Sequence, residues 1–145
     1  MYPISHAKPE KTVKFIYKYV FIHINTDKKM AILINKKDLI GINKEIGENG
    51  ELQNGSSLEY ALSIIKHKKS WLYELSYLLR SLLVDHAFKD GNKRTALMLV
   101  VAYLKDKNID HDKDDLSRII WNISKKNITD INKIGRLIKS AIILG

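Results

Sequence analysis

Nine consecutive apolar residues, Ala96 to Leu104, constrain this chain more than any other feature. The run is long for a strand and apolar on every side, so a helix built from it has no face to offer water and must be central and buried. Just ahead of it stands His86-Ala-Phe-Lys-Asp-Gly-Asn-Lys-Arg-Thr-Ala96, where an imidazole, a carboxylate, a glycine turn and, after the turn, two cations fall within nine residues. Asp90-Gly-Asn92 is turn chemistry, because Gly tolerates positive φ while Asp and Asn satisfy local backbone groups. The turn therefore delivers its amides to the N-terminus of the buried helix.

At such an end the first N–H groups lack partners and the helix dipole is positive, so an anion is favoured, and successive turn amides can form a concave nest. Lys93 and Arg94 add positive charge, and Arg has the bidentate geometry that suits phosphate. Asp90 opposes a bare anion. A carboxylate beside a phosphate cradle makes sense if a hard divalent cation, Mg²⁺, lies between the two. Histidine exchanges protons near neutral pH, so His86 can take one from a hydroxyl nucleophile. Phe88 is expected to face the core and pin the loop. Any one of these residues would also suit a plain helix connector with a solvated Lys/Arg pair. The ordered set points to a phosphate site, because context confirms a motif where a Gly turn alone does not.

At these residues the chain resembles the Fic/Doc family, whose core motif reads His-x-Phe-x-Asp/Glu-Gly-Asn followed by a basic run. The Doc, or death-on-curing, branch typically continues Asn-Lys-Arg-Thr-Ala, as Asn92 to Ala96 do. Upstream, Gly50-Glu-Leu-Gln-Asn-Gly-Ser-Ser-Leu58-Glu-Tyr-Ala61 is similar to the family's flap and the helix start after it. The resemblance spans about residues 36 to 110. It implies an all-α, Fic/Doc-type helical bundle around a buried central helix, with a small flap hairpin or loop.

The resemblance also implies an enzyme that moves a phosphate-containing part of ATP onto a Ser, Thr or Tyr hydroxyl of a protein, with Mg²⁺ as cofactor. Carried over by position, His86 is the general base, Asp90 the Mg²⁺ ligand, Gly91 and Asn92 the phosphate nest, and Lys93 and Arg94 the holders of further phosphate oxygens. The adenylylating branch usually has Gly after the Asn and a second Arg three residues beyond the first; Lys93 and Leu97 stand there instead. Both departures favour the Doc-like reading, phosphoryl transfer onto a translation factor, although Gly91 matches the adenylylating pattern too. Fic proteins often carry an inhibitory Ser/Thr-x-x-x-Glu-Gly/Asn helix. The nearest candidate, Ser70-Trp-Leu-Tyr-Glu74, continues with Leu75 and breaks the pattern, so inhibition is expected from a separate antitoxin protein. The alternatives are a non-catalytic relative that binds a partner or nucleotide, and a basic nucleic-acid-binding helical domain.

Length and composition bound the rest. The 145 residues are read as one domain, 1–145, with a core of about 36–143. At 45% hydrophobic and 28% charged residues, a soluble globular protein is expected. The chain has no Cys, which excludes disulfides and thiol chemistry and fits a reducing cytosol. No signal peptide is expected, since the first apolar run follows Lys8, Lys11 and Lys14 and is broken by Lys18. Nothing reaches transmembrane length without charges, so a cytoplasmic protein with no membrane partner is expected. The net charge of +9 and pI near 9.6 would suit a polyanion, ATP included. Lys66-His-Lys-Lys69 and Lys125-Lys126 lack interleaved aromatic residues and read as solvated surface rather than a nucleic-acid platform. The five histidines have no ligand spacing, which argues against a protein-built zinc site.

Along the chain, residues 1–34 receive no function. Val13 to Ile24 suits a helix or a strand, Thr26-Asp-Lys-Lys a turn, and Met30 to Ile34 a short apolar segment. Asn35 caps a helix from Lys36 or Lys37, with Leu39, Ile40, Ile42 and Ile46 inward. Gly47 to Gly55 is a loop or short hairpin. Ser56-x-x-Glu59 reads as a capping box, with Leu58, Leu62 and Ile65 following at helical spacing. Ser70 starts a stronger helix that runs to His86, its apolar face formed by Trp71, Leu75, Leu78, Leu79, Leu82 and Leu83, with Arg80 on the solvated side. Asp106 to Asp114 is turn-like. Asp112 or Asp115 begins the next helix, which bears Leu116, Ile119, Ile120 and Ile123. Thr129 caps the last, with Ile131, Ile134, Leu137, Ile138 and Ala141 inward.

Overall fold

A computed structural model describes residues 34–65, 67 and 70–143. The readings for Val13 to Ile24, Thr26 to Lys29 and most of Met30 to Ile34 lie outside these residues. Six helices follow one another: α1 Lys36–Glu45, α2 Gly55–Ile65, α3 Trp71–Leu83, α4 Asn92–Asp106, α5 Lys113–Lys125 and α6 Ile131–Ser140. Two short strands, β1 Asp110–His111 and β2 Ile142–Ile143, pair antiparallel. The fold is the expected all-α bundle. The tiny ladder was not expected, and two residues per strand are too few to display a period in sequence.

The apolar run forms the middle of the bundle as its composition requires. Ala96 and Met98 to Leu104 of α4 are buried, and Leu97 is half-buried. Helix α3 lies alongside and contacts α2, α4, α5 and α6, while α4 also contacts α1, α5 and β1. Leu75, Leu78, Leu79, Leu82 and Leu83 of α3 are fully buried, and Trp71 is half-buried. At the crossing of α6 with α3, Gly135 allows close approach: a Cβ there would stand 3.3 Å from Ser76 Oγ and 3.7 Å from Leu72 Cγ.

The helix ends show which cap signals were read correctly. Asn35 forms a full capping box with Asp38, its Oδ1 accepting the Asp38 N–H at 2.8 Å while Asp38 accepts the Asn35 N–H at 3.0 Å. Ser70 caps α3 and Asp112 caps α5 as expected. Two caps shift by one or two residues. Helix α2 starts at Gly55, and Asn54 rather than Ser56 accepts the Ser57 N–H, so the Ser56–Glu59 box does not form; Glu59 instead pairs with Lys36. Asp130, not Thr129, caps α6, its carboxylate accepting from Asn132 and Lys133. In both places a neighbouring Asn or Asp side chain takes the position expected of the hydroxyl.

Helix α3 stops at Leu83, three residues before the expected His86. The Val84 and Asp85 N–H groups both turn back to the Arg80 carbonyl, Ala87 reaches Ser81, and His86 adopts φ +52. The left-handed residue follows the end of the helix and turns the chain out of it, and its imidazole is exposed. Arg80 stacks on Tyr77 at 4.9 Å and donates to the Thr129 carbonyl at 3.4 Å, both on the outer surface.

Candidate active site

Five of the six helices begin with a side chain that accepts from their first amides, namely Asn35, Asn54, Ser70, Asp112 and Asp130. Helix α4 begins with Gly91, which has no side chain to do so. Gly91 sits at φ +79, ψ +17, the left-handed region, and Asn92 after it is helical. That alternation turns successive N–H groups toward a common point. The N–H groups of Gly91, Asn92 and Lys93 donate to no acceptor among the described residues. An uncapped, dipole-positive amide cluster of this kind has the geometry that favours an anion.

The loop that presents the cradle is held from behind. Asn92 folds its side chain back on Phe88, Oδ1 accepting the Phe88 N–H at 2.9 Å and Nδ2 donating to the Phe88 carbonyl at 2.8 Å. Phe88 is fully buried, as the sequence suggested, so the bend is anchored to the core through one aromatic ring. Asn92 thus contributes its backbone to the nest and its side chain to the loop.

The other face of the same short segment meets the flap. Leu52 and Phe88 form an isolated antiparallel bridge; Lys89 N–H donates to the Glu51 carbonyl at 2.9 Å and Gln53 N–H to the Ala87 carbonyl at 2.8 Å. The flap is therefore a loop paired with the motif itself, not a hairpin closed on its own strands. In this pattern the flanking residues carry the bonds, and the Leu52 N–H and C=O face the outer edge. Before His86, Ser57 Oγ donates to the Asp85 carboxylate at 2.6 Å and Asn54 Nδ2 to the Asp85 carbonyl at 3.3 Å, which ties the start of α2 to the turn.

Of the residues singled out in sequence, His86 and Asp90 are exposed and Gly91 to Arg94 are half-buried around the bend. The φ of His86 is uncommon outside Gly and costs about 1–3 kcal/mol, strain that concentrates at functional positions. The Lys93 ammonium lies 4.6 Å from the centre of the Trp121 ring, held by a cation–π contact from α5. Arg94 donates to the Ile46 carbonyl at 3.0 Å and forms an ion pair with Glu48, on the loop after α1. Among the described residues no group of three or more His, Asp or Glu gathers where it could hold a metal. Glu74, from the broken inhibitory pattern, is buried in α3; burial raises its carboxyl pKa and Lys107 partly counters the shift.

Sequence reading missed Asn43 and Glu48. Glu48 comes within 2.6 Å, by its Cγ, of where a Cβ of Gly91 would be. Nothing in the loop's composition distinguishes it from a solvated Glu. Asn43 left a signal: it lies four residues after Leu39 and three before Ile46, on the buried face of α1, where an amide needs an internal partner.

A sequence model described as the Fic/DOC family matches residues 9–104, more than half of the chain. No curated protein and no solved structure matches.

Proposed function

Because this chain belongs to the Fic/DOC family, whose members are protein-modifying transferases in general, we propose that it transfers the γ-phosphoryl group of ATP to a Ser, Thr or Tyr hydroxyl of a protein. One observation carries the reading. The bend at Gly91 leaves three amides and a helix dipole open, and the same nine-residue stretch carries an exposed imidazole and an exposed carboxylate.

The residues fit the ligands of that reaction. The glycine bend accommodates a phosphate against bare amides, and Asp90 offers one hard oxygen ligand. Mg²⁺ is ordinarily held by one or two carboxylates completed by substrate phosphates and water, and when bound it neutralises charge on the phosphates. His86 accepts the proton of the target hydroxyl as that oxygen forms its bond to the γ-phosphorus. The bond from the γ-phosphorus to the bridging oxygen breaks, and ADP leaves. The amides of Gly91, Asn92 and Lys93 stabilise the charge on the phosphates, in a reaction governed by positioning and electrostatics. The outward N–H and C=O of Leu52 offer an edge along which a target segment adds as a strand.

Adenylyl transfer is the second reading, and Gly91 suits both. Leu97 favours the first. It stands where a second Arg would grip a γ-phosphate retained on the leaving side, and it is a half-buried apolar residue of α4. Incubation with target-containing lysate and ATP labelled at the α or the γ position decides: label retained from γ supports phosphorylation, from α adenylylation, and from neither sinks the transferase. The target would be a protein such as a translation factor, with a separate antitoxin as inhibitor. Harmless expression of the chain alone, with no small protein co-purifying from its native host, would count against that pair.

A further inference from the structure

Asn43 is 1% exposed, and it bonds at both ends of its amide. Nδ2 donates to the Asp90 carbonyl at 2.9 Å and to Thr95 Oγ1 at 3.2 Å, and Oδ1 accepts the Gly50 N–H at 2.8 Å. The same nitrogen lies 3.2 Å from where a Gly91 Cβ would be, so it sits directly behind the bend. One side chain on α1 thus touches the turn before the nest, the first turn of α4, and the residue that leads into the flap.

We propose that Asn43 is a positioning residue that sets the aim of the phosphate nest and couples it to the flap. The inference rests on the transferase reading and extends it to a residue outside the motif. The geometry is that of the peptide bond. In a trans peptide the C=O and the following N–H point in opposite directions. Drawing the Asp90 carbonyl inward to Asn43 therefore turns the Gly91 N–H outward, into the hollow. The Oδ1 bond to Gly50 fixes the start of the segment Glu51 to Gln53, which pairs with Ala87 to Lys89. A shift of the flap is transmitted through a single planar amide to the amides that face the phosphate. An apolar residue could fill the same space, but it could orient neither segment, and it would leave the Gly50 N–H without its acceptor.

Substitution with Asn43→Asp tests this, because it keeps the shape and the acceptor for Gly50 while placing a carboxylate oxygen against the Asp90 carbonyl. Thr95→Val is the comparison: it removes one bond of Asn43 and costs stability but leaves the bond to Asp90. Calorimetric titration of Mg-ATP into each folded protein, with thermal melting alongside, should show affinity reduced about 10–100-fold in N43D, the range for groups that orient direct ligands, and nearly unchanged in T95V. Wild-type affinity in N43D at neutral pH, or equal losses in N43D and T95V, would overturn the proposal. Should N43D not fold, Asn43→Ser, too short to reach Asp90, is held to the same neutral-pH comparison. A wild type that binds no Mg-ATP removes the transferase reading itself, an outcome distinct from wild-type binding with an indifferent Asn43.

Discussion

From Met98 to Leu104, α4 is enclosed by apolar side chains of the surrounding helices, whereas its first turn is held by hydrogen bonds of Thr95 with Asn43 and of Asn92 with Phe88 and by the ion pair of Arg94 with Glu48. Packing is roughly proportional to buried area and has no direction, so it fixes where a helix lies without aiming any single group. Hydrogen bonds do the aiming. The same helix is therefore a stability element at one end and a ligand-presenting element at the other, and the two properties should separate under mutation.

The sharpest break between them is His86→Ala. The imidazole is exposed and follows the end of α3, so melting should be little changed. The rate of label transfer should fall about 10²–10⁴-fold, the contribution of a positioned general base, with Mg-ATP affinity retained in titration. A variant that transfers at the wild-type rate would remove the imidazole from the chemistry.

Leu99→Ala should do the converse. Leu99 is fully buried in the middle of α4, and the cavity should cost about 2–5 kcal/mol, read by urea denaturation. Transfer per folded molecule should remain near wild type, because no bond that aims the bend passes through Leu99. If activity fell in proportion to stability, the two ends would be one cooperative unit and the comparison would fail.

This division also explains what was legible in the sequence. The buried helix, its neighbours and most caps follow from local rules, since apolar period and side-chain acceptors act within a few residues. The bend at Gly91 was legible because Gly next to Asn and Asp has few other uses. The contacts that tune it were not, because Asn43 and Glu48 act across more than forty residues of chain. Likewise Asn54 and Asp130 won their caps over Ser56 and Thr129 through differences that one sequence does not rank. The strand pair near Asp110 depends on a partner at the far end of the chain.

Glu48→Gln tests the charged part of the bend. Its ion pair with Arg94 is partly exposed, with side chains 26% and 20% accessible, so stability should change by no more than about 1 kcal/mol. On the proposed function the carboxylate and an incoming phosphate would compete for the same guanidinium, so Mg-ATP affinity should rise when the charge is removed. Weaker binding in E48Q would instead mean that Glu48 holds Arg94 in the geometry that phosphate requires.

The smallest effect belongs to the opposite end of α4 and concerns pH. His111 lies on β1, which packs on α4, and both ring nitrogens are shielded from solvent, with the Ile109 backbone near the ring but no hydrogen bond of good geometry among the described residues. Burial lowers its pKa, with Lys105 and Lys113 acting in the same direction and the Ile109 backbone and Asp110 opposing. A depressed folded-state pKa means that the unfolded chain takes up the proton first. The stability contribution is therefore present above the ordinary histidine value and is lost as pH falls through the folded one. His111→Leu should flatten the melting temperature against pH across that window and leave it unchanged at higher pH. Because β1 contacts α4 away from Gly91, the ratio of variant to wild-type Mg-ATP affinity should not vary with pH. A ratio that did vary would show that protonation at one end of the helix reaches the amides at the other.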